Sequence, residues 1–149
     1  MLVTALLVGA AIGLGSFTFV YAQGYSYLTD DPEACANCHV MNDHVAAWSR
    51  SSHAARAGCN DCHTPHGGLV EKYWVKAKNG FWHSFYFTTG DFPDPIRITE
   101  PNENVVEGAC RHCHESITET VDHGVPSDAA GVEPLDCTRC HQYVGHMVR

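Results

Sequence analysis

All eight cysteines of this chain lie in four CxxCH motifs: Cys35-Ala-Asn-Cys38-His39, Cys59-Asn-Asp-Cys62-His63, Cys110-Arg-His-Cys113-His114 and Cys137-Thr-Arg-Cys140-His141. On a helical turn, residues three and four apart share a face, so both thiols and the imidazole of a motif point the same way. Two thioether bonds and one axial ligand can then serve one porphyrin, and each motif reads as a c-type haem attachment site. Zinc and disulfide chemistry also use CxxC pairs, but neither calls for a histidine after every second cysteine. Four covalently bound haem c groups are therefore expected on Cys35, Cys38, Cys59, Cys62, Cys110, Cys113, Cys137 and Cys140, with His63, His114 and His141 as iron ligands.

Residues 25–149 must enclose all four haems, which leaves little chain for a side-chain core. Porphyrin should replace that core, and the apoprotein should be largely disordered. The expected class is mainly α with much irregular chain: an N-terminal transmembrane helix followed by a tetrahaem c-type cytochrome domain organised around its haems. The motifs form two pairs, 35–63 and 110–141, joined by a linker, 64–109. Within this layout the sequence predicts helical turns at each CxxCH, a helix around 45–57 and a longer one over 69–87. Gly67-Gly68 and Gly90 bracket the longer helix, while Pro93, Pro95 and Pro101 predict an extended loop after it. The net charge of −8 and the lack of a basic stripe exclude nucleic acid as a partner.

Residues 2–23 carry no charge, and the first charged residue is Asp30. Such a stretch is long enough to cross a bilayer. A cleaved signal peptide is the rival, since Val20-Tyr21-Ala22 offers a small-residue site. The retained anchor, residues 1–24, is the preferred reading, placing the protein in a bacterial inner membrane as a single-pass chain with residues 25–149 on the periplasmic side. Ala5, Gly9 and Gly13 leave one face small enough for close helix contact, which suggests a homodimer within a larger complex. Tyr21, Tyr25 and Tyr27 then fall near the outer interface.

The segment 69–87 interleaves Tyr73, Trp74, Phe81, Trp82, Phe85, Tyr86 and Phe87 with Lys72, Lys76, Lys78 and His83. An amphipathic helix of this kind can rest on membrane lipid with its aromatics at headgroup depth, or its rings can pack on haem faces. Seven histidines lie outside the final position of the motifs: His44, His53, His66, His83, His112, His123 and His146. His53, just before the second motif, and His146, just after the last, are the strongest candidates for distal iron ligands. Acidic residues Asp91, Asp94, Glu100, Glu103 and Glu107 form either a partner-guiding patch or an ordinary solvated loop.

The first motif continues as Cys35-Ala-Asn-Cys38-His39-Val40-Met41. With one anchor helix, four CxxCH motifs, a histidine before the second motif and one after the last, this CxxCHxM run resembles the NapC/NirT family of membrane-anchored cytochrome c quinol dehydrogenases. Residues 27–41, 51–62 and 71–90 carry most of the likeness. Length and ending are most similar to the small NrfH-type subunits, which deliver menaquinol electrons to cytochrome c nitrite reductase. The resemblance implies that Met41 rather than His39 binds the first iron, with the opposite face open beside a quinol site. A thioether is a softer donor than imidazole and raises the potential. His39 as the ordinary ligand, with Met41 as packing, stays open as the alternative. The resemblance also implies His146 as distal ligand of the second haem and His53 of the fourth. For the third haem, a lysine borrowed from the catalytic partner and His123 are rivals. Some relatives carry an Asp on the open side of the first haem, where this chain has His83, with Glu71 and Asp91 nearby in sequence.

The function so implied is a menaquinol dehydrogenase that passes electrons through four haems to a periplasmic multihaem reductase, a pentahaem cytochrome c nitrite reductase. Oxidation of a quinol releases two electrons and two protons, so a proton acceptor is needed beside the first haem. Lys76 is expected to orient the quinol oxygen and His83 to accept a proton. The alternative is a membrane-tethered multihaem electron carrier with no quinol site, which predicts four six-coordinate low-spin haems. Nitrite reduction by this chain itself is disfavoured, since it has no CxxCK motif.

Overall fold

The computed structural model describes residues 1–122 and 136–146. Among them the regular structure is helical, with no strand. Helix α1, Leu2–Tyr21, has 20 residues and a mean hydropathy of 2.0. At about 1.5 Å per residue it covers roughly 30 Å, the thickness of a bilayer's hydrocarbon layer. Its residues are exposed on every side, so α1 buries no face against the rest of the chain. A helix that is apolar all round suits lipid. It ends where Gln23 adopts a left-handed conformation (φ 53°), and a 3-10 turn follows over Gly24–Leu28.

The remaining helices are α2, Asn42–Trp48; α3, Cys59–His63; α4, Leu69–Thr89; α5, Glu100–Cys113; α6, Glu115–Asp122; and α7, Cys137–Cys140. The helix predicted over 45–57 is shorter and earlier, because polar side chains close turns beyond Trp48. Ser49 Oγ donates to Ala46 O at 2.9 Å, and Trp48 Nε1 donates to Ala57 O at 2.9 Å. Such local bonds compete with helix propagation. Helix α4 runs two residues past its predicted end and stops at Gly90, whose φ of 72° is readily adopted by glycine. Pro101, expected in a loop, sits in the first turn of α5, where its missing N–H has no helical partner to lose.

Only Ala109, Thr64 and Lys76 are buried among the described residues. Side chains alone thus supply almost no core. What organises the chain is contact between motifs: the 3-10 turn Pro32–Asn37 packs on α3, α3 on α5, and α5 on α7. Each of these elements carries one CxxCH, so the motifs succeed one another in space in their sequence order. The Cys35 and Cys59 side chains meet where the first two motifs touch. Glu107 of α5 accepts the backbone N–H groups of Cys137 and Thr138, both at 2.9 Å, and so staples the fourth motif to the third. Helix α4 packs on the turn Gly24–Leu28, next to the point where α1 ends.

Candidate functional site

The second, third and fourth motifs occupy α-helical turns: α3, the last turn of α5, and α7. The first does not. Its cysteines straddle the end of the turn Pro32–Asn37, Cys38 is extended (φ −98°, ψ 119°), and a new 3-10 turn carries His39–Met41. The break turns His39 out of the helical register that would align it with Cys35. His39 is exposed, whereas Met41, whose N–H donates to Cys38 O at 2.9 Å, is half-buried.

Histidine rings meet in pairs around the later motifs. His63 and His146 lie nearly parallel, 11° apart, with ring centres 6.0 Å apart; His53 and His114 are 6.1 Å apart at 75°. Two imidazoles sharing one metal at bonds of about 2 Å each have centres roughly 6 Å apart. The residues therefore fit axial ligation of haem iron, and Nδ1 of His146 is buried without a hydrogen-bond partner among the described residues. Burial, then His146 and other nearby imidazoles, pushes His63 down to about 4, and burial with His44 lowers His146. Neutral imidazole is the form that binds metal. His146 thus lies against the second motif's His63, while His53 lies between the third motif's His114 and the segment after the fourth, its Nδ1 3.1 Å from Val144 O. Among the described residues no ring pairs with His141, and His123 lies outside them. Zinc is not favoured: no group of three or more metal-ligating side chains converges among the described residues.

Beside the first motif, α4 brings Lys76 and His83 to the segment that leaves the apolar helix. Lys76 is 5% exposed. Its ammonium donates to Thr29 O at 2.6 Å and to Asp30 Oδ1 at 2.8 Å and lies 5.6 Å from the centre of the Tyr73 ring. Lys72, one turn earlier, reaches Asp30 Oδ2 at 2.5 Å. Hydrogen bonds from Lys72 and Lys76 hold the Asp30 carboxyl below the usual carboxylate range. His83 lies two turns further along α4, and its Nδ1 is 3.0 Å from the Tyr27 hydroxyl. Its outer edge is open to solvent, but the packed side is desolvated enough to lower its pKa. Burial, with smaller contributions from Cys38 and Cys35, pushes the Tyr27 phenol up to about 12.

Sequence reasoning placed Lys76 and His83 on one helix but missed Tyr27, Thr29 and Asp30. Lys72 and Lys76, four apart on one helix face, were a signal for a shared carboxylate, and Asp30 is the first charge after α1. Tyr27, expected at the membrane interface with Tyr21 and Tyr25, turns inward, while the other two stay exposed. On either side of His83, the rings of Phe81, Trp82, Phe85 and Tyr86 meet edge-on or stacked and remain open to the outside.

A family model described as the N-terminal region of the NapC/NirT cytochrome c family matches residues 1–149. The cytochrome c-type protein NrfH of Wolinella succinogenes is 40% identical over 97% of this chain and 86% of its own length. The cytochrome c nitrite reductase subunit NrfH of Nitratidesulfovibrio vulgaris is 34% identical over 93% of this chain and 80% of its own. Among solved structures, one chain of a cytochrome c nitrite reductase NrfHA complex bound to the HQNO inhibitor superposes with a TM-score of 0.66 at 30% identity, covering 96% of this chain and 90% of that one.

Proposed function

Since the chain belongs to the NapC/NirT cytochrome c family, we propose that it is the quinol-oxidising, electron-transferring subunit of a membrane-anchored cytochrome c nitrite reductase complex. The observation that carries this reading is local. The one motif built differently from the other three stands beside a basic and aromatic helix, α4, which packs on the exit of the apolar helix α1.

As a cytochrome c the protein binds haem c, and its four CxxCH motifs would hold four. When bound, these groups supply one-electron acceptors that water-soluble side chains cannot. His63 and His146 would hold the second iron, His114 and His53 the third, and His141 the fourth. If His53 serves the third iron, a ligand borrowed from a partner reductase would belong to the fourth haem rather than the third. Met41 would serve the first iron, its position favoured over His39 by the break at Cys38.

The substrate end is formed by α4. A lysine ammonium has three donors, and Thr29 and Asp30 take two of those on Lys76, leaving one for a quinol oxygen. His83 accepts the proton that leaves that oxygen. Aromatics Trp82, Phe85 and Tyr86 would lie at headgroup depth on the periplasmic face of the inner membrane, where a menaquinol head is within reach. Ala5, Gly9 and Gly13 of α1 would pair two copies in the complex. Replacing His83 with Ala should lower turnover of a menaquinol analogue by about 10²–10⁴-fold while leaving reduction by dithionite intact. Unchanged quinol turnover in that variant would remove His83 from the reaction, and absence of quinol turnover in the unaltered complex would return the chain to the role of a tethered carrier.

A further inference from the structure

Resting on the quinol-oxidising reading, we propose that Tyr27 is the positioning residue for His83: its phenol oxygen accepts the Nδ1–H of the ring and leaves Nε2 bare to take a quinol proton. The contact is 3.0 Å long and joins residues on two different elements, the turn Gly24–Leu28 and α4. Neutral imidazole carries one proton, on one nitrogen or the other. Only the tautomer with that proton on Nδ1, facing Tyr27, has a lone pair free on the opposite nitrogen. A hydroxyl oxygen has the lone pairs to accept this bond, and its acceptance strengthens once the ring is cationic. Per quinol, two O–H bonds break and two protons are released, and the haems, when bound, would be the acceptors of the two electrons. His83 Nε2 takes one proton per transfer and must shed it before the next.

Two further contacts hold the tyrosine where this work requires it. Its ring lies over Gly80, one turn before His83 on α4, and any Cβ built there would sit 3.2–3.5 Å from the ring. The neighbouring Ser26 accepts a hydrogen bond from Asn37 Nδ2 at 2.7 Å, and Asn37 is inside the first CxxCH. The turn that carries Tyr27 is thereby fixed to the first motif on one side and to α4 on the other. That arrangement sets the distance from the proton acceptor to the first haem's attachment site through a single short segment.

The test is a double-mutant cycle on the intact membrane complex, using Tyr27→Phe, His83→Ala and the pair, with a reduced menaquinone analogue as donor. Haem content and the fraction reducible by dithionite serve as the measure of assembly. Tyr27→Phe should lower kcat by about tenfold with KM nearly unchanged, and should cause no further loss in the His83→Ala background, since a residue that acts through another is coupled to it. An unchanged kcat in Tyr27→Phe, or the same fold-loss with and without His83, overturns the proposal. Should Tyr27→Phe not assemble, Gly80→Ala displaces the ring by a few tenths of an ångström and favours the helix; it should lower kcat only while His83 is present, and an equal loss in His83→Ala overturns the proposal. Full turnover in His83→Ala alone also overturns the proposal but leaves quinol oxidation standing, whereas no turnover of the menaquinol analogue by the unaltered, dithionite-reducible complex defeats the parent reading instead, so the two failures are distinct.

Discussion

In the second motif, Cys59, Cys62 and His63 ride on one turn of α3, begun at Gly58 and closed by bonds such as Thr64 N–H to Asn60 O at 3.0 Å. In the first motif the same spelling is broken by an extended Cys38, and His39 starts a separate turn with Met41. A helical turn makes the histidine follow its cysteines; a break lets another residue take its place. The surroundings differ in kind as well. His63 is pressed against His146, whereas the first motif is bordered by a salt-bridged lysine pair, a tyrosine and an aromatic helix. The regular motif sets two imidazole rings opposite each other, whereas the irregular one leaves its histidine exposed.

The largest effect should come from destroying the regular motif. Replacing Cys59 and Cys62 with Ser should abolish cooperative thermal unfolding, seen by circular dichroism, because so few side chains are buried without porphyrin. Next, His146→Ala should convert about one haem equivalent from low spin to high spin in electron paramagnetic resonance. Met41→Ala should leave the second and third low-spin signals unaltered, and a loss of either would erase the distinction drawn between the motifs. A smaller effect follows from Asp30. Because Lys72 and Lys76 depress its folded pKa, its contribution to stability is complete above about pH 4 and is lost as pH falls through the lower, folded value. Melting curves of Asp30→Asn against wild type between about pH 2.5 and 6 should converge at the acid end. Least of all, Asn37→Ala, which removes the exposed bond to Ser26, should cost about 0.5 kcal/mol in a denaturant titration and leave every low-spin signal in place.

The helical class, the anchor-length helix and α4 were legible in the sequence, because each is a matter of spacing or composition within a short window. The partners of the histidines were not. His53 lies just before the second motif and His146 just after the fourth, but proximity in sequence says nothing about which iron a side chain reaches. That depends on α3 packing on α5, a contact made by residues far apart in the chain. The contact of Tyr27 with α4 escaped for a related reason: nothing local reveals that Gly80 leaves a seat for its ring. The break at Cys38 left no mark beyond Met41 itself, so the difference in exposure between His39 and Met41 needed the backbone.

The pairing of His146 with His63 also carries information about time. The second motif emerges early in synthesis, yet the ring that lies against its histidine is made only after the last attachment site has been translated. If His63 and His146 share an iron, a chain that stalls or is cut before that residue would leave the second motif's site with one side unfinished. Closure of that site would then report that the fourth motif has been made.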